Sequence, residues 1–209
     1  NDIVPIANHL TEAGVVAVKA DSPYKTIEEL VAAAKEKGNL KASTNGNKAS
    51  NHTAAQLLAK SAGFKYKAIP YGGTADQLLA LRQGEVDFTC AKVADVAKLV
   101  KGDKPELRVL AVFNTKRDPE LPNVPTLGEK GLYPEWYGSA RALVAPKGTK
   151  PEVIQYYVEA FKKTMQDPAV IEAHKKAGMA LDFKDNKELG DLIKAQDKFA
   201  RDVVNDLYK

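Results

Sequence analysis

The sequence contains one cysteine, Cys90, in 209 residues. This excludes an internal disulfide and a Cys-x-x-Cys redox centre. Arginine is scarce. Of the 31 basic residues, all but Arg82, Arg108, Arg117, Arg141 and Arg201 are lysines. The lysines are interspersed with 27 acidic residues, leaving a net charge of +4. Neither a basic stripe nor interleaved aromatic platforms occur, so no nucleic-acid partner is expected. No apolar run approaches the roughly 20 residues of a membrane-spanning helix, so direct membrane insertion is not expected either. The longest runs, at 15–18 and 109–113, are strand-sized. The opening Asn1-Asp2-Ile3-Val4-Pro5 lacks the basic start and apolar stretch of a signal peptide.

Catalytic and metal signatures are missing too. The three histidines, His9, His52 and His174, are far apart in the sequence and fit no HExxH or Cys/His spacing. P-loop and GxGxxG patterns are absent, and Tyr137-Gly138-Ser139-Ala140-Arg141 lacks the second glycine of a nucleophile elbow. Cys90 ends an apolar run and reads as a buried structural thiol. No catalytic residue, metal or cofactor is therefore expected.

What is present is an ordinary soluble composition, 44% hydrophobic and 28% charged. The length falls between one and two domains at roughly 150 residues each. Strand and helix signals alternate. The β-branched run 15–18 precedes Thr26-Ile27-Glu28-Glu29, a capping box, with Ile27, Leu30, Val31 and Ala34 on one helical face and Gly38 as the stop. Strands are predicted at 40–43, 66–69, 86–90 and 107–113. Helices are predicted after 52, after 74 and over 93–100. Near-continuous apolar strands between helices indicate an α/β sheet covered on both faces. Prolines crowd 119–125; a short helix is predicted from Pro125-Thr126, then an aromatic stretch and a strand over 140–145. The tail reads as helical, opened by capping boxes at 149–152 and 185–188, with the stripe Ile154, Tyr157, Val158, Phe161 and Met165 as core.

Two strand-to-helix loops stand out. One spans 43–52 and is built from Ser, Thr, Asn and Gly; the other is Pro70-Tyr71-Gly72-Gly73-Thr74. Ligands of open α/β sheets bind at the carboxyl ends of strands. A helix N-terminus offers amides to a carboxylate or phosphate, and each hydrogen bond to a charged group contributes about 1.5–3 kcal/mol. The same residues are also what any capped βα loop uses, and composition leaves both readings open.

Several segments carry a resemblance: Ile69-Pro70-Tyr71-Gly72-Gly73-Thr74, Leu81-Arg82-Gln83-Gly84-Glu85-Val86-Asp87, the run from Arg117 to Thr126, Gly138-Ser139-Ala140-Arg141, and Ala145-Pro146-Lys147-Gly148-Thr149. In this order they resemble the tripartite tricarboxylate transporter substrate-binding proteins of the Bug or TctC type, over essentially the whole chain. The resemblance implies a type II periplasmic-binding-protein-like fold. It has two lobes, with the first incomplete: 1–9 as a crossover, 10–137 as the second lobe and 138–209 as the returning part of the first. It implies that the chain starts about a third of the way along the family pattern, with the signal peptide upstream. It further implies a periplasmic, non-catalytic receptor, monomeric at full length, that captures a small carboxylate and presents it to a membrane permease. The ligand contacts so implied are Ser43, Thr44, Asn45, Ser50, Asn51, Tyr71, Gly72, Gly73 and Thr74, with Lys92 and Arg141 in addition. The chain departs from the family where Lys48-Ala49 replaces a Gly-Ser pair, where Ala140 replaces a common aromatic, and where Ala91-Lys92 stands at a frequent Asp, a change that favours a further negative charge on the ligand. A sensor on the same fold, or a small-molecule α/β enzyme, are the alternatives.

Overall fold

The computed structural model describes residues 2–179 and 181–208. Its first element is a long strand, β1 (Ile3–Lys19), whose halves belong to different units. One unit is Ala13–Ser139; the other joins Asn1–Glu12 to Ala140–Lys209.

In the unit Ala13–Ser139, Val15, Val16, Ala17 and Val18 are each fully buried. Side chains alternate between the faces of a strand, so burial at every position means that both faces are covered, as the continuous apolar run predicts. Helix α1 (Ile27–Lys37) starts at the predicted capping box. The Thr26 hydroxyl accepts from the Glu29 amide at 3.2 Å, and the Glu29 carboxylate accepts from the Thr26 amide at 3.3 Å. Gly38 ends the helix at φ 68°, a left-handed conformation that a Cβ would strain.

The chain then alternates through β2 (Lys41–Thr44), α2 (Ser50–Ala62), β3 (Lys67–Pro70), α3 (Thr74–Gln83) and β4 (Phe88–Lys92). β2 runs parallel to both β3 and β4, so the carboxyl ends of these three strands lie together. β1 and then β5 (Leu107–Phe113) extend the sheet antiparallel, in the order β3-β2-β4-β1-β5. The result is a mixed α/β sheet with its core on both faces.

Two local expectations fail here. The helix predicted over 93–100 is a single turn, α4 (Val93–Val96). The Leu99 amide folds back onto the Val96 carbonyl at 2.8 Å, and the Leu99 carbonyl accepts from Glu106 and Leu107, turning the chain into β5. The helix predicted from Pro125-Thr126 is replaced by pairing beside β5. The Val112 amide donates to the Pro125 carbonyl at 3.0 Å, and the Leu127 amide to the Val112 carbonyl at 2.9 Å. Hydrogen bonds to a distant strand override the local helix-start signal.

Strand β6 (Gly138–Pro146), which from Ala140 onward belongs to the other unit, and β7 (Leu181–Lys184) both pair with β1. Helices α5 (Pro151–Met165), α6 (Pro168–Lys176) and α7 (Asn186–Phe199) belong to that unit, α7 continuing as a π-helical stretch, Ala200–Val204. The capping box predicted at 149–152 is absent. Lys150 is the N-cap, Pro151 takes the first helical position, and the Thr149 hydroxyl donates to the Pro146 carbonyl at 2.8 Å. Proline's fixed φ suits that first position. The capping box at Asp185 and Glu188 is present. Strand β7 interrupts a tail read as helical, because Leu181 and Lys184 find partners on β1. Of the predicted α5 stripe, Ile154 and Val158 are buried while Tyr157 is 46% exposed. Leu143, Val144, Val153, Tyr156 and Ile171 are also large exposed apolar side chains of this unit.

Candidate functional site at the carboxyl ends of three parallel strands

Thr44 ends β2 and Pro70 ends β3, directly opposite one another in the parallel register. The Tyr71 amide donates to the Thr44 carbonyl at 2.9 Å, so the two loops singled out in the sequence leave the sheet side by side. Each leads into a helix whose N-cap supplies no side-chain hydrogen bond, Ala49 for α2 and Gly73 for α3. First-turn amides of a helix have no intrahelical acceptor; here neither N-cap residue supplies one. The first turn of α2 carries no acidic residue. Within the first loop, the Asn45 side-chain oxygen accepts from the Asn51 amide at 3.3 Å, and Lys48 adopts φ 59°, a conformation for which glycine is the least strained residue.

Beneath the loops lies a buried polar cluster. Lys92 closes β4 and is 4% exposed. Its ammonium donates to Asn51 Oδ1 at 2.6 Å and to Ser50 Oγ at 3.3 Å. Asn51 Nδ2 donates to Gln77 Oε1 at 2.9 Å, and Gln77 Nε2 donates to the Cys90 carbonyl at 2.7 Å and to Thr89 Oγ1 at 2.5 Å. The Thr89 hydroxyl donates to the Ser43 carbonyl and accepts from Ser43 Oγ, both at 2.9 Å. The Tyr137 hydroxyl donates to the Ser50 carbonyl at 3.3 Å. Elements α2, α3, β2 and β4 are thereby joined through polar groups, which makes such groups tolerable in a buried setting.

Ten of the eleven residues implied by the resemblance thus fall in one unit, and Arg141 falls in the other. There its guanidinium pairs with the buried Glu12 carboxylate at 2.6 Å. Ser43, Thr44, Asn51 and Lys92 are buried below the loop surface; Asn45, Ser50, Gly73 and Thr74 are half-buried and Gly72 is exposed. The Tyr71 hydroxyl donates to Glu85 Oε2 at 3.1 Å, and burial together with that carboxylate pushes its pKa up. His52 is buried in the first turns of α2, where its Nδ1 accepts from the Lys48 amide at 2.9 Å and burial lowers its pKa. Gln77, Thr89 and Tyr137 were missed. The available signal was an amide on the same helical face as Leu78 and Leu81, and a hydroxyl inside an otherwise apolar strand.

Cys90 is fully buried and its pKa is pushed up to about 12 by desolvation, which keeps it a thiol. No cluster of three or more metal-ligating side chains occurs among the described residues. No described helix is long and apolar enough to cross a membrane.

Residues 1–207 match the family model described as the tripartite tricarboxylate transporter family receptor, TctC. The chain belongs to that receptor family. A relative from Cupriavidus necator, the UPF0065 protein in the gbd 5' region, is 38% identical over 154 residues, covering 73% of this chain and 46% of its own length. Among solved structures, a ligand-free TctC solute binding protein from Polaromonas aligns at 28% identity and TM-score 0.82, over 98% of this chain and 70% of that one. The periplasmic binding protein BugD aligns at 25% identity and TM-score 0.81, over 95% of this chain and 69% of its own. This TctC-family chain therefore has the α/β fold of the periplasmic binding proteins. It spans about half the length of the curated relatives it matches.

Proposed function

We propose that this chain is part of an extracytoplasmic, periplasmic receptor. It captures a small carboxylate without chemical change and hands it to a membrane permease of the tripartite tricarboxylate type. The observation that carries the reading is the Lys92 ammonium, buried against Ser50 and Asn51 behind an α2 N-terminus whose N-cap residue supplies no side-chain hydrogen bond and whose first turn carries no acidic residue. A cation, a helix dipole and first-turn amides all favour an anion at the same place. On this reading Asn45, Ser50, Gly72, Gly73 and Thr74 meet the solute, largely through main-chain amides. Ser43, Thr44, Asn51 and Lys92 support them from beneath, and Tyr71 borders the loop. We further assign Ala13–Ser139 as one lobe and Asn1–Glu12 with Ala140–Lys209 as a portion of another, an assignment supported by the exposed apolar side chains of the latter.

The test is thermal unfolding in the presence of mono-, di- and tricarboxylates, with neutral sugars and amines as controls. A solute at about 100 times its Kd adds about 2.7 kcal/mol of stability. Stabilisation by carboxylates alone is the expected result. Stabilisation by none of them, or chemical conversion of the solute seen by NMR, refutes the reading.

A further inference from the structure

We propose that Gln77 is a positioning residue of this site: it fixes the orientation of the Asn51 carboxamide and through it holds the Lys92 ammonium behind the first loop. The direction of each hydrogen bond linking Thr89, Gln77, Asn51 and Lys92 follows from two main-chain oxygens, which can only accept. The Thr89 hydroxyl gives its one proton to the Ser43 carbonyl, and its lone pairs then accept from Ser43 Oγ and from Gln77 Nε2. The second Nε2 proton goes to the Cys90 carbonyl at 2.7 Å. With both amide protons committed, Gln77 can present only Oε1 to Asn51. Asn51 must therefore donate through Nδ2 at 2.9 Å and turn Oδ1 toward Lys92, where it accepts from the ammonium at 2.6 Å. A flipped Asn51 would set donor against donor on the lysine side and acceptor against acceptor on the glutamine side.

Burial supports a specific role. Gln77 is 0% and Asn51 1% exposed, and an amide placed among Leu78, Ala80 and Leu81 is costly unless its groups are satisfied. Gln77 meets that requirement by linking α3 to α2 and β4. Residue 77 is no part of either loop, yet it determines where the positive charge of residue 92 stands. The consequence for ligands rests on the solute-binding reading: a solute with a second acidic group gains over a singly charged one.

The first experiment needs no ligand. Reductive methylation of the folded chain, read by peptide mass spectrometry, reports how tightly each lysine is held. Lys92 is expected to react far more slowly than exposed lysines. In Gln77→Leu its rate is expected to rise roughly tenfold, within the range set by losing one hydrogen bond to a charged group. Leu78→Ala, which loosens the same helix, is expected to leave that rate unchanged. The second experiment compares Kd for succinate and butyrate by calorimetry, and Gln77→Leu is expected to reduce their ratio by a similar factor. Should Gln77→Leu fail to fold, Asn51→Asp decides. It removes the N–H facing Gln77 Oε1, so it is expected to lower the melting temperature even though it puts a carboxylate beside Lys92. Unchanged Lys92 methylation in folded Gln77→Leu, or an undiminished melting temperature in Asn51→Asp, overturns the proposal. A wild-type chain that binds neither probe counts against the solute reading, and the methylation rates still decide the role of Gln77.

Discussion

Replacing Lys92 by methionine keeps an unbranched side chain of similar length and removes one charge. Asn51 Oδ1 loses its 2.6 Å donor and Ser50 Oγ its 3.3 Å donor. A buried acceptor deprived of its donor costs about 1–3 kcal/mol, and relief from burying an ammonium offsets part of that. A net loss of about 1–2 kcal/mol corresponds to a fall in melting temperature of about 2–8 °C for a chain of this size. The effect on binding is larger and depends on charge. For an assumed separation of about 8 Å, the Coulomb attraction between an ammonium and a carboxylate is about 2 kcal/mol at an effective dielectric of about 20. Lys92→Met should therefore weaken succinate binding about thirtyfold, with a smaller loss for butyrate, and high salt should narrow the difference between wild type and variant. Calorimetric titration alongside circular-dichroism melting measures both quantities. If succinate binds the wild-type chain and the folded variant equally well, the electrostatic argument for this loop cluster is wrong.

Thr26→Ala removes the capping acceptor of α1 and should cost about 1 kcal/mol, visible as a lower urea midpoint that Thr26→Ser largely restores. Burial holds the His52 imidazole below its ordinary pKa, and protonation would displace the Lys48 amide from Nδ1. The unfolded chain therefore takes up the proton first, so this contribution to stability is complete above the ordinary histidine range and is lost as pH falls through that range toward the lowered native value. Urea midpoints measured across that window should decline toward acid, less steeply in His52→Gln. Burial, His174 and Arg141 lower the His9 pKa, leaving a residual slope of the same sign. Cys90, with a pKa of about 12 and full burial, should resist a disulfide reagent at mildly alkaline pH and react as urea opens the fold; rapid labelling of the native chain would contradict its placement.

Local chemistry was the legible part. The capping boxes at Thr26 and Asp185 and the helix stop at Gly38 depend on a few neighbouring residues, and these appear as read. The strands at 15–18 and 107–113 were legible for a different reason, since burial on both faces writes an unbroken apolar run. The misses at 97–100, 125–127 and 181–184 share one cause. Each segment is decided by backbone hydrogen bonds to residues outside its own neighbourhood, on β1 or β5 or across the turn into it. The loop residues of the candidate site were legible by type and by position after strands. Which of them reach the surface was not legible, because that depends on neighbouring strand ends and helices.

The sequence by itself determined the alternation of strands and helices over 15–90, the capping boxes at Thr26 and Asp185, the family and the two loops that carry amides at the ends of strands. Only the tertiary structure decided that Ser43, Thr44, Asn51 and Lys92 lie below those loops, that Arg141 pairs with Glu12 in another unit, and that Gln77 connects Asn51 to Thr89. The physical reason is desolvation. A polar side chain can be buried only when partners from several elements satisfy it, and those partners, such as Ser43 with Thr89 or Asn51 with Lys92, are more than forty residues apart in the chain.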